Sequence, residues 1–533
     1  MREIITLQLG QQSNYVATHF WNTQESYFTY GADEESPVDH DVHFRPGLGA
    51  DGTETFMPRT VIYDLKGGFG TLKRLNALYD ITEDASTSSL WPGKTVVHRQ
   101  PPIEASAYQQ SLDMGQSPPE LSTSTVRYWS DFNRVFYHPR SIIQLNEYEL
   151  NSTLMPFEKW HMGEELFANL DKEHDLLDRD LRPFVEEADH MQAVQIMSGI
   201  DDAWGGFAAR YVERMRDEYG KLPVWIFGIQ DSVRGLPREK KLTRLVNKAR
   251  ALAELGSQAS LVVPLSLPDE PLPLEIRLDP SSPWHVSALF AAAIESTTLY
   301  TRLKPAGSVS SSTLGHMTDL LNVFGRQTIA SMEMSHDAPP NSKQNGPNDP
   351  VKTTNAKGEP VFDPRSGATD DASEIGSQKG TVSLDVDLSS PQDLRLQPGT
   401  RRPRKRYVFS QVQTYRGDDV DGAAEEDALA ARYFDTRRRP KVHNYRSGLA
   451  FPVLDSSPDI FRDDSGNAVK CHVGLKTALS TNTSVMYKVR ALRTTVVRSI
   501  GIEDRETLGN ELAEIAEGYK EGWSSGSDDS DGE

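Results

Sequence analysis

The chain opens with the stretch that decides its fold, Met1-Arg2-Glu3-Ile4-Ile5-Thr6-Leu7-Gln8-Leu9-Gly10-Gln11-Gln12-Ser13-Asn14. The mostly apolar run from Ile4 to Leu9 is typical of a buried parallel strand. Gly10 ends this run, and we expect Ser13 or Asn14 to cap the helix that follows. A strand that feeds a helix through a glycine turn places backbone N–H groups at a positive helix end, which is a general anion site.

Strand-like and helix-like patterns alternate from there through residues 1–330. Buried strands are predicted at Thr60–Leu65, Val224–Ile229 and Leu261–Val263, and residues 160–197 are predicted to be largely helical. A further helix is marked by apolar residues four positions apart, namely Phe207, Tyr211, Met215 and Tyr219. Such alternation predicts an α/β domain with a mostly parallel sheet and helices on both faces.

Composition excludes several functional classes. A formal net charge of −20 makes the chain a poor general nucleic-acid binder, because phosphates are repelled at long range. The single cysteine, Cys471, excludes an internal disulfide and a cysteine-based zinc site, and it suits a reducing compartment. No other set of residues has metal-ligand spacing, so we expect no metal and no cofactor.

Membrane insertion and import are not expected from the sequence. The most apolar segment, Val286–Tyr300, is short and contains Glu295, so we interpret it as a buried core helix. The N-terminus has the pattern of neither a secretory signal nor a mitochondrial presequence. If the protein acts at an organelle, we expect it to act from the cytosolic face.

Residues 331–404 break the alternation, because they are rich in Pro, Gly, Ser, Asn and Asp and lack apolar periodicity. A disordered insertion is the prediction. Two basic runs, Arg401–Arg406 and Arg437–Lys441, lie at and beyond its end. The alternatives for these runs are a solvated linker, contact with an anionic membrane surface, or a nuclear signal.

Residues 405–523 are predicted to form a smaller α+β domain, with strands at Tyr407–Phe409 and Val485–Val489. A late helix is indicated by an amphipathic stripe made of Leu508, Leu512, Ile515, Ala516 and Tyr519. Residues 524–533 form an acidic tail that we expect to be disordered.

Four stretches together resemble tubulin. The opening residues through Phe20-Trp21 are similar to the start of tubulin, and three later matches follow in the same order: Pro58–Leu65, Leu181–Gln192 and Arg214–Tyr219. The pattern as a whole resembles one divergent branch, the Misato family of tubulin-like proteins. Its particular matches are Asp131–Val135, Tyr137–Ser141, Trp204–Ala208 and Tyr519–Trp523.

The resemblance implies a tubulin-like fold followed by a smaller domain, a C-terminal helix and an acidic tail. It also implies a role in mitochondrial distribution and in the inheritance of mitochondria and mitochondrial DNA. The implied location is the cytosolic face of the mitochondrion and the cytoplasm. The implied partners are proteins of the mitochondrial surface or the cytoskeleton, with chaperonin and tubulin as further candidates.

Tubulins hold nucleotide phosphates with a glycine-rich loop, and the resemblance places residues 200–206 of this chain at that position. The aligned residues include Asp201, Asp202 and Trp204, followed by Gly205 and Gly206. A carboxylate about 4 Å from a phosphate would cost roughly 4 kcal/mol at an effective dielectric of 20. We therefore predict a degenerate phosphate site, with Gly10, Gln11 and Asn14 as remnants of its first loop.

A second loop supports the same prediction but leaves an alternative open. Lys66 stands where the tubulin pattern has a glutamate near the metal and phosphates. Together with Gly67, Gly68 and Gly70, Lys66 could form a new anion site. The loop through which tubulins act on a neighbouring subunit's nucleotide should fall near Thr318–Asn322, which aligns only loosely.

Three functional hypotheses follow. The leading one is a non-catalytic tubulin-like protein that acts through protein contacts in mitochondrial inheritance. The second is an active GTPase that polymerises, and it requires an intact glycine loop. The third is a cytoskeletal assembly factor that works with chaperonin or tubulin.

Overall fold

The computed structural model describes residues 2–29, 35–48, 54–72, 103–233, 235–304, 311–337, 383–389, 406–417, 440–463, 465–498 and 502–520. These residues form two six-stranded sheets with a long buried helix between them, and a separate two-stranded sheet.

The first sheet is parallel and is built from the N-terminal half of the chain. The strands of this half are β1 (Glu3–Leu9), β2 (Phe44–Leu48), β3 (Glu54–Pro58), β4 (Thr60–Lys66), β5 (Ile142–Glu149), β6 (Met191–Gly199), β7 (Val224–Ile229) and β8 (Leu261–Leu265). The order in the sheet is β5-β4-β1-β6-β7-β8, and every neighbouring pair is parallel. β2 and β3 form a separate antiparallel hairpin. The predicted fold class is confirmed.

Helices cover both faces of this sheet. They are α1 (Gln11–Glu25), α2 (Ala107–Asp113), α3 (Trp160–His174), α4 (Arg182–Glu186), α5 (Ala203–Glu218), α6 (Arg238–Gln258), α7 (Pro283–Thr298) and α8 (Leu314–Leu321). α1 and α7 pack together on one face, and α3, α5 and α6 pack on the other. Alternate side chains of β1 lie on opposite faces of the sheet. Ile4 belongs to the hydrophobic core beneath α1 and α7, and Ile5 belongs to the core beneath α3, α5 and α6. Burial on both faces explains the mostly apolar runs of the sequence.

One boundary in this half was predicted wrongly. Residues 160–197 are not helical throughout, because β6 begins at Met191. β6 is inserted between β1 and β7 and is buried from Ala193 onward. The apolar residues at its start fit a helical stripe as well as a strand, and only the pairing with β1 separates the two.

The second sheet is mixed and begins inside the predicted insertion. Its strands are β9 (Ser331–Asp337), β10 (Val386–Asp387), β11 (Val408–Arg416), β12 (Lys441–Ser447), β13 (Phe451–Pro452) and β14 (His472–Asn482). The order is β10-β9-β14-β11-β12, with β13 paired to β14, and only the β11–β12 ladder is parallel within this described sheet. Residues 331–337 and 386–387 therefore belong to the folded body, which corrects the predicted limits of the insertion. Residues 338–382 and 390–404 lie outside the described residues.

The C-terminal segment is more helical than predicted. Val485–Val489, predicted as a strand, lies in helix α9 (Ser484–Val497), and α10 (Ile502–Glu517) follows it. Both helices pack against α6, and burial of Leu508, Leu512, Ala516 and Tyr519 confirms the predicted stripe, while Ile515 is half-buried. The Tyr519 hydroxyl accepts from the N–H of Ile329 (2.6 Å) and donates to its carbonyl (2.7 Å). This pair of bonds fixes the end of the chain's described part beside β9; the acidic tail lies outside it.

The helix between the sheets carries a buried charged cluster. α7, which confirms the predicted core helix, holds Glu295 with its side chain fully buried. Its carboxylate accepts hydrogen bonds from Arg302 (2.8 Å), from the Tyr27 hydroxyl (3.0 Å) and from Arg416 of β11. Both guanidinium groups are also fully buried. The cluster joins the turn after α1, helix α7 and the second sheet at one point. Within the described residues, no helix is long and apolar enough to cross a bilayer.

Candidate functional site

The order of the first sheet marks one crevice as the natural ligand site. The order reverses beside β1, because β4 and β5 lie on one side of it and β6, β7 and β8 lie on the other. Open α/β sheets bind ligands outside the carboxyl ends of the strands at such a reversal. Here those ends are Gly10 after β1 and Gly199 at the end of β6. The loops predicted as vestigial phosphate loops meet at this place.

The first loop is a tight turn between β1 and α1. Gly10 has a φ of +87°, a conformation that favours glycine, and its carbonyl accepts from the N–H of Asn14 (3.0 Å). α1 begins at Gln11, so Ser13 and Asn14 lie inside the helix and neither is its cap. The predicted cap was wrong because the glycine turn itself starts the helix.

The side chains of Gln11 and Asn14 bind a carboxylate of the protein. The Gln11 amide donates to Asp64 (2.6 Å) and to the carbonyl of Gly68 (2.5 Å), and the Asn14 amide donates to Asp64 (2.7 Å). Asp64 is fully buried, and burial raises its pKa to about 7, against the opposing effect of these hydrogen bonds. Two donors predicted as phosphate remnants therefore serve an internal acid.

The second loop closes on the first instead of opening to a ligand. A Cβ on Gly68 would lie 2.3 Å from an Asp64 carboxylate oxygen, so this glycine is required by close packing. Gly67 and Gly70 have φ values of +86° and +56°, which the turn requires. Lys66 is exposed, and it does not line the crevice. The alternative of a new anion site around Lys66 gains no geometric support.

In the third loop a carboxylate caps the helix that a phosphate would cap. Asp202 precedes α5 and accepts from the N–H of Trp204 at 2.9 Å. A Cβ on Gly199 would lie 2.8 Å from the same oxygen, so the carboxylate folds back over the end of β6. Burial raises the pKa of Asp202, against the favourable hydrogen bond from Trp204. The positive end of α5 is thus already occupied by an acid of the chain.

Asp201 is also held within the structure. Its carboxylate accepts from the N–H of Asp231 (3.1 Å) and lies 3.5 Å from the Arg244 guanidinium. Its carbonyl accepts from the amide of Asn247 (3.0 Å), a residue that also bonds the start of α3. Burial, with the Asp231 carboxylate, raises the pKa of Asp201. Nothing in the sequence pattern singled out Asn247, because it contacts the loop from a helix more than forty residues away.

Trp204 fills the crevice over the first loop. A Cβ on Gly10 would lie 2.3 Å from the indole nitrogen, so the indole rests directly on the glycine. The ring also contacts Phe157 and Phe207, with centroids 5.3 and 5.6 Å apart, and the residue is 5% exposed. A phosphate at Gly10 would have to displace a buried aromatic side chain.

The remaining glycines of this loop pack helices together. Gly205 and Gly206 lie in the first turn of α5. A Cβ on Gly206 would lie 2.2 Å from the carbonyl oxygen of Trp160, and one on Gly163 would lie 1.8 Å from the carbonyl oxygen of Ala203. These glycines let α3 and α5 approach closely. They do not form a loop whose backbone N–H groups surround an anion.

A cleft of about 580 Å³ remains beside this packing. Its volume suits a small ligand, but its charged lining consists of Glu149, Glu158, Asp202 and Lys240. Lys240 is already paired with Glu158 at 2.8 Å. The lining carries three carboxyl groups against one lysine, so its charge opposes the binding of a triphosphate.

Other predicted positions have structural contacts. In Thr318–Asn322, which lies at the end of α8 and just beyond, the Thr318 hydroxyl accepts from the indole N–H of Trp225 (2.8 Å). In Tyr137–Ser141, one of the stretches that resemble the Misato family, His138 begins a turn, and its Nδ1 accepts from the N–H of Arg140 (3.1 Å), while burial lowers its pKa to about 4. Among the described residues, no three His, Cys, Asp or Glu side chains are grouped to hold a metal.

Comparison with known proteins identifies two matching families along the chain. Residues 2–114 match the Misato Segment II tubulin-like domain, and residues 118–303 match the tubulin domain. The chain is 54% identical to Protein dml-1 of Neurospora crassa, and the match covers all of both chains. It is 46% identical to Protein DML1 of Gibberella zeae over all of this chain and 99% of the relative. Protein DML1 of Yarrowia lipolytica is 28% identical over the full length of both.

Proposed function

The chain belongs to the Misato/DML1 family of tubulin-like proteins, and from that premise we propose that it is a non-catalytic member that acts in mitochondrial distribution. The proposed role includes the partition of mitochondria and the inheritance of mitochondrial DNA. It would be carried out through protein contacts from the cytosolic face of the mitochondrion and from the cytoplasm.

One observation carries the non-catalytic part of the proposal. Trp204 lies on Gly10, and Asp202 caps α5, so side chains of the protein occupy the two places where phosphate groups would bind. Catalysis of phosphoryl transfer depends on positioned cations and N–H donors around the phosphates. In this crevice those donors are directed to Asp64 and Asp202 instead.

The mitochondrial part of the proposal is supported by the likeness to the Misato family. The partners we propose are proteins of the mitochondrial surface or the cytoskeleton, with chaperonin and tubulin as further candidates. We propose peripheral contact with the membrane through Arg401–Arg406 and Arg437–Lys441. Of these basic residues, Arg406 is excluded from membrane contact, because its guanidinium is paired with the buried Glu333 and bonds Ser480 (2.7 Å). Residues 401–405 and 437–439 lie outside the described residues.

A complementation experiment tests the proposal. Depletion of the protein in its own cells should cause unequal partition of mitochondria and loss of mitochondrial DNA. Gln12 lines the acidic cleft, so Gln12→Glu adds a carboxylate where a nucleotide would bind. We expect Gln12→Glu to restore inheritance as fully as the unaltered chain, because no nucleotide is needed. Glutamate at each basic residue of 401–405 and 437–439 should release the protein from mitochondria.

Two results would contradict the proposal. Failure of a stably folded Gln12→Glu chain to restore inheritance would indicate that a nucleotide is required. Normal mitochondria after depletion, combined with spindle defects and co-purification of chaperonin subunits or tubulin, would favour the assembly-factor hypothesis.

A further inference from the structure

A strongly basic cleft lies outside the nucleotide crevice. It is formed by the start of α3, the first half of α6 and the end of α9, and it has a volume of about 810 Å³. Its charged and titratable lining residues are Lys159, His161, Arg238, Glu239, Arg250 and Arg498. The chain as a whole has a net charge of −20. A concave site lined mainly by cations focuses the electric field and raises the local concentration of anionic ligands.

The cations converge because α6 is basic in its first half. Between Arg238 and Arg250 the sequence has six basic residues and a single carboxylate, Glu239. Lys240 and Arg244 pair with acids around the neighbouring crevice. Arg238 lies on the side that faces the basic cleft, which leaves its charge for a different partner.

Several of the lining cations are not neutralised by the protein. Lys159, Arg238 and Arg498 are exposed, and none of them forms an ion pair with a carboxylate among the described residues. They come from α6, from the residue before α3 and from the residue after α9, so packing of these helices assembles the site. The positive N-terminal ends of α3 and α6 contribute to the same field.

The floor of the cleft is partly apolar and is recessed below these charges. Trp160 is buried, while Leu242 and Val246 are half-buried. An extended peptide can place aliphatic stems on such a floor and carboxylates against the rim. A flat bilayer would meet the rim alone. A long nucleic acid would extend from the cleft onto the acidic remainder of the surface, where it is repelled.

We propose that this basic cleft binds an acidic peptide segment of a partner protein, rich in Glu or Asp. The overall negative charge does not prevent this, because charges beyond a Debye length of about 8 Å are largely screened at physiological ionic strength. A short acidic segment inside the cleft therefore responds mainly to Lys159, Arg238 and Arg498. The segment would lie beside α6 and would require no nucleotide.

Fluorescence anisotropy with a labelled oligoglutamate peptide tests the proposal on the full chain. We expect binding near physiological ionic strength, where the remainder of the negative surface is screened, and we expect it to weaken as salt is raised further. Arg238→Glu combined with Arg498→Glu should weaken binding by at least about tenfold, because both changes turn attraction into repulsion. Lys159→Glu alone should give a smaller loss. All three side chains are exposed, so thermal denaturation should be unchanged.

A charge-matched control separates a site from general attraction. Lys172→Glu with Lys221→Glu changes the net charge equally at exposed positions away from the cleft. We expect this variant to bind the peptide within about twofold of the unaltered chain. Equal losses in both double variants, or no binding by the unaltered chain, would overturn the proposal.

Two further experiments test whether the basic cleft binds something other than a partner's acidic peptide. Binding of vesicles that contain anionic lipid, lost in the Arg238→Glu and Arg498→Glu variant while oligoglutamate never binds, would overturn the proposal in favour of a membrane. Peptide binding that occurs only after removal of residues 521–533 would overturn it in favour of the chain's own acidic tail.

Discussion

Glu295→Gln is expected to lower the free energy of unfolding by about 3–5 kcal/mol. The side chain keeps its shape in this substitution but loses its charge. The change leaves Arg302 and Arg416 as buried, uncompensated cations, each with a fully buried side chain. The Tyr27 hydroxyl also loses its carboxylate acceptor. Removing one partner of a buried ionic cluster is far more costly than removing a surface pair.

The loss of stability caused by Glu295→Gln should depend on pH with a definite sign. Burial opposes ionisation of Glu295, but Arg416 and Arg302 outweigh it and lower the pKa of Glu295 below its ordinary value of 4.5. A carboxylate with a lowered folded-state pKa contributes stability above its unfolded pKa and loses it as the pH falls through the folded value. The difference in free energy of unfolding between the unaltered protein and the Glu295→Gln variant should therefore be constant from about pH 5 to pH 8 and shrink only in stronger acid.

Chemical denaturation measured at several pH values checks this expectation. Glu120→Gln is the matched control, because Glu120 is 82% exposed and pairs with Lys470 at 3.8 Å. It should change stability by less than about 1 kcal/mol. A Glu295→Gln protein as stable as the Glu120→Gln protein would show that the cluster does not hold the two sheets together.

Gly206→Ala is expected to destabilise the protein by about 1–3 kcal/mol. The added Cβ would lie 2.2 Å from the carbonyl oxygen of Trp160, which is a backbone atom that cannot move alone. α3 would have to shift away from α5, and Trp204 would lose its packing in the crevice. The gain in helix propensity, about 1 kcal/mol for Gly to Ala, is too small to offset this overlap.

A buried helical glycine elsewhere provides the control. Gly256 lies inside α6, and a Cβ there would meet its nearest neighbour at 3.8 Å, an ordinary contact. Gly256→Ala should be neutral or stabilising by up to about 1 kcal/mol. A neutral or stabilising effect of Gly206→Ala would contradict the role of Gly206 in the close packing of α3 and α5.

Much of the fold could be predicted from the sequence because its strands are buried on both faces. β7 and β8 have continuous apolar runs and β1 and β4 have mostly apolar ones, which is the pattern of a parallel sheet covered by helices. The errors fell where local pattern is ambiguous. β6 was merged with a helix, and Val485–Val489 has β-branched residues that pack as a helix against α6. Tertiary contacts decide both cases.

The candidate site was predictable in its location and charge but not in its internal contacts. Loss of glycine and gain of Asp201, Asp202 and Trp204 are visible along the chain. The cap of α5 by Asp202 is a local contact with Trp204 that the alignment with a phosphate loop did not reveal. The sequence could not show that Trp204 lies on Gly10, because this contact joins segments far apart in the chain. The role of Asp64 was missed for the same reason, since it depends on Gln11 and Asn14 of another loop.

Titration of the purified chain with GTP and Mg²⁺ by calorimetry is the most direct test that its own side chains occupy the phosphate site. Analysis of nucleotide released from the denatured protein should accompany it, so that a nucleotide retained through purification is detected. We predict no released nucleotide and no heat of binding up to millimolar GTP. Micromolar affinity that is abolished by Gln12→Glu, or stoichiometric nucleotide released on denaturation, would contradict the claim that Trp204 and Asp202 have replaced the ligand.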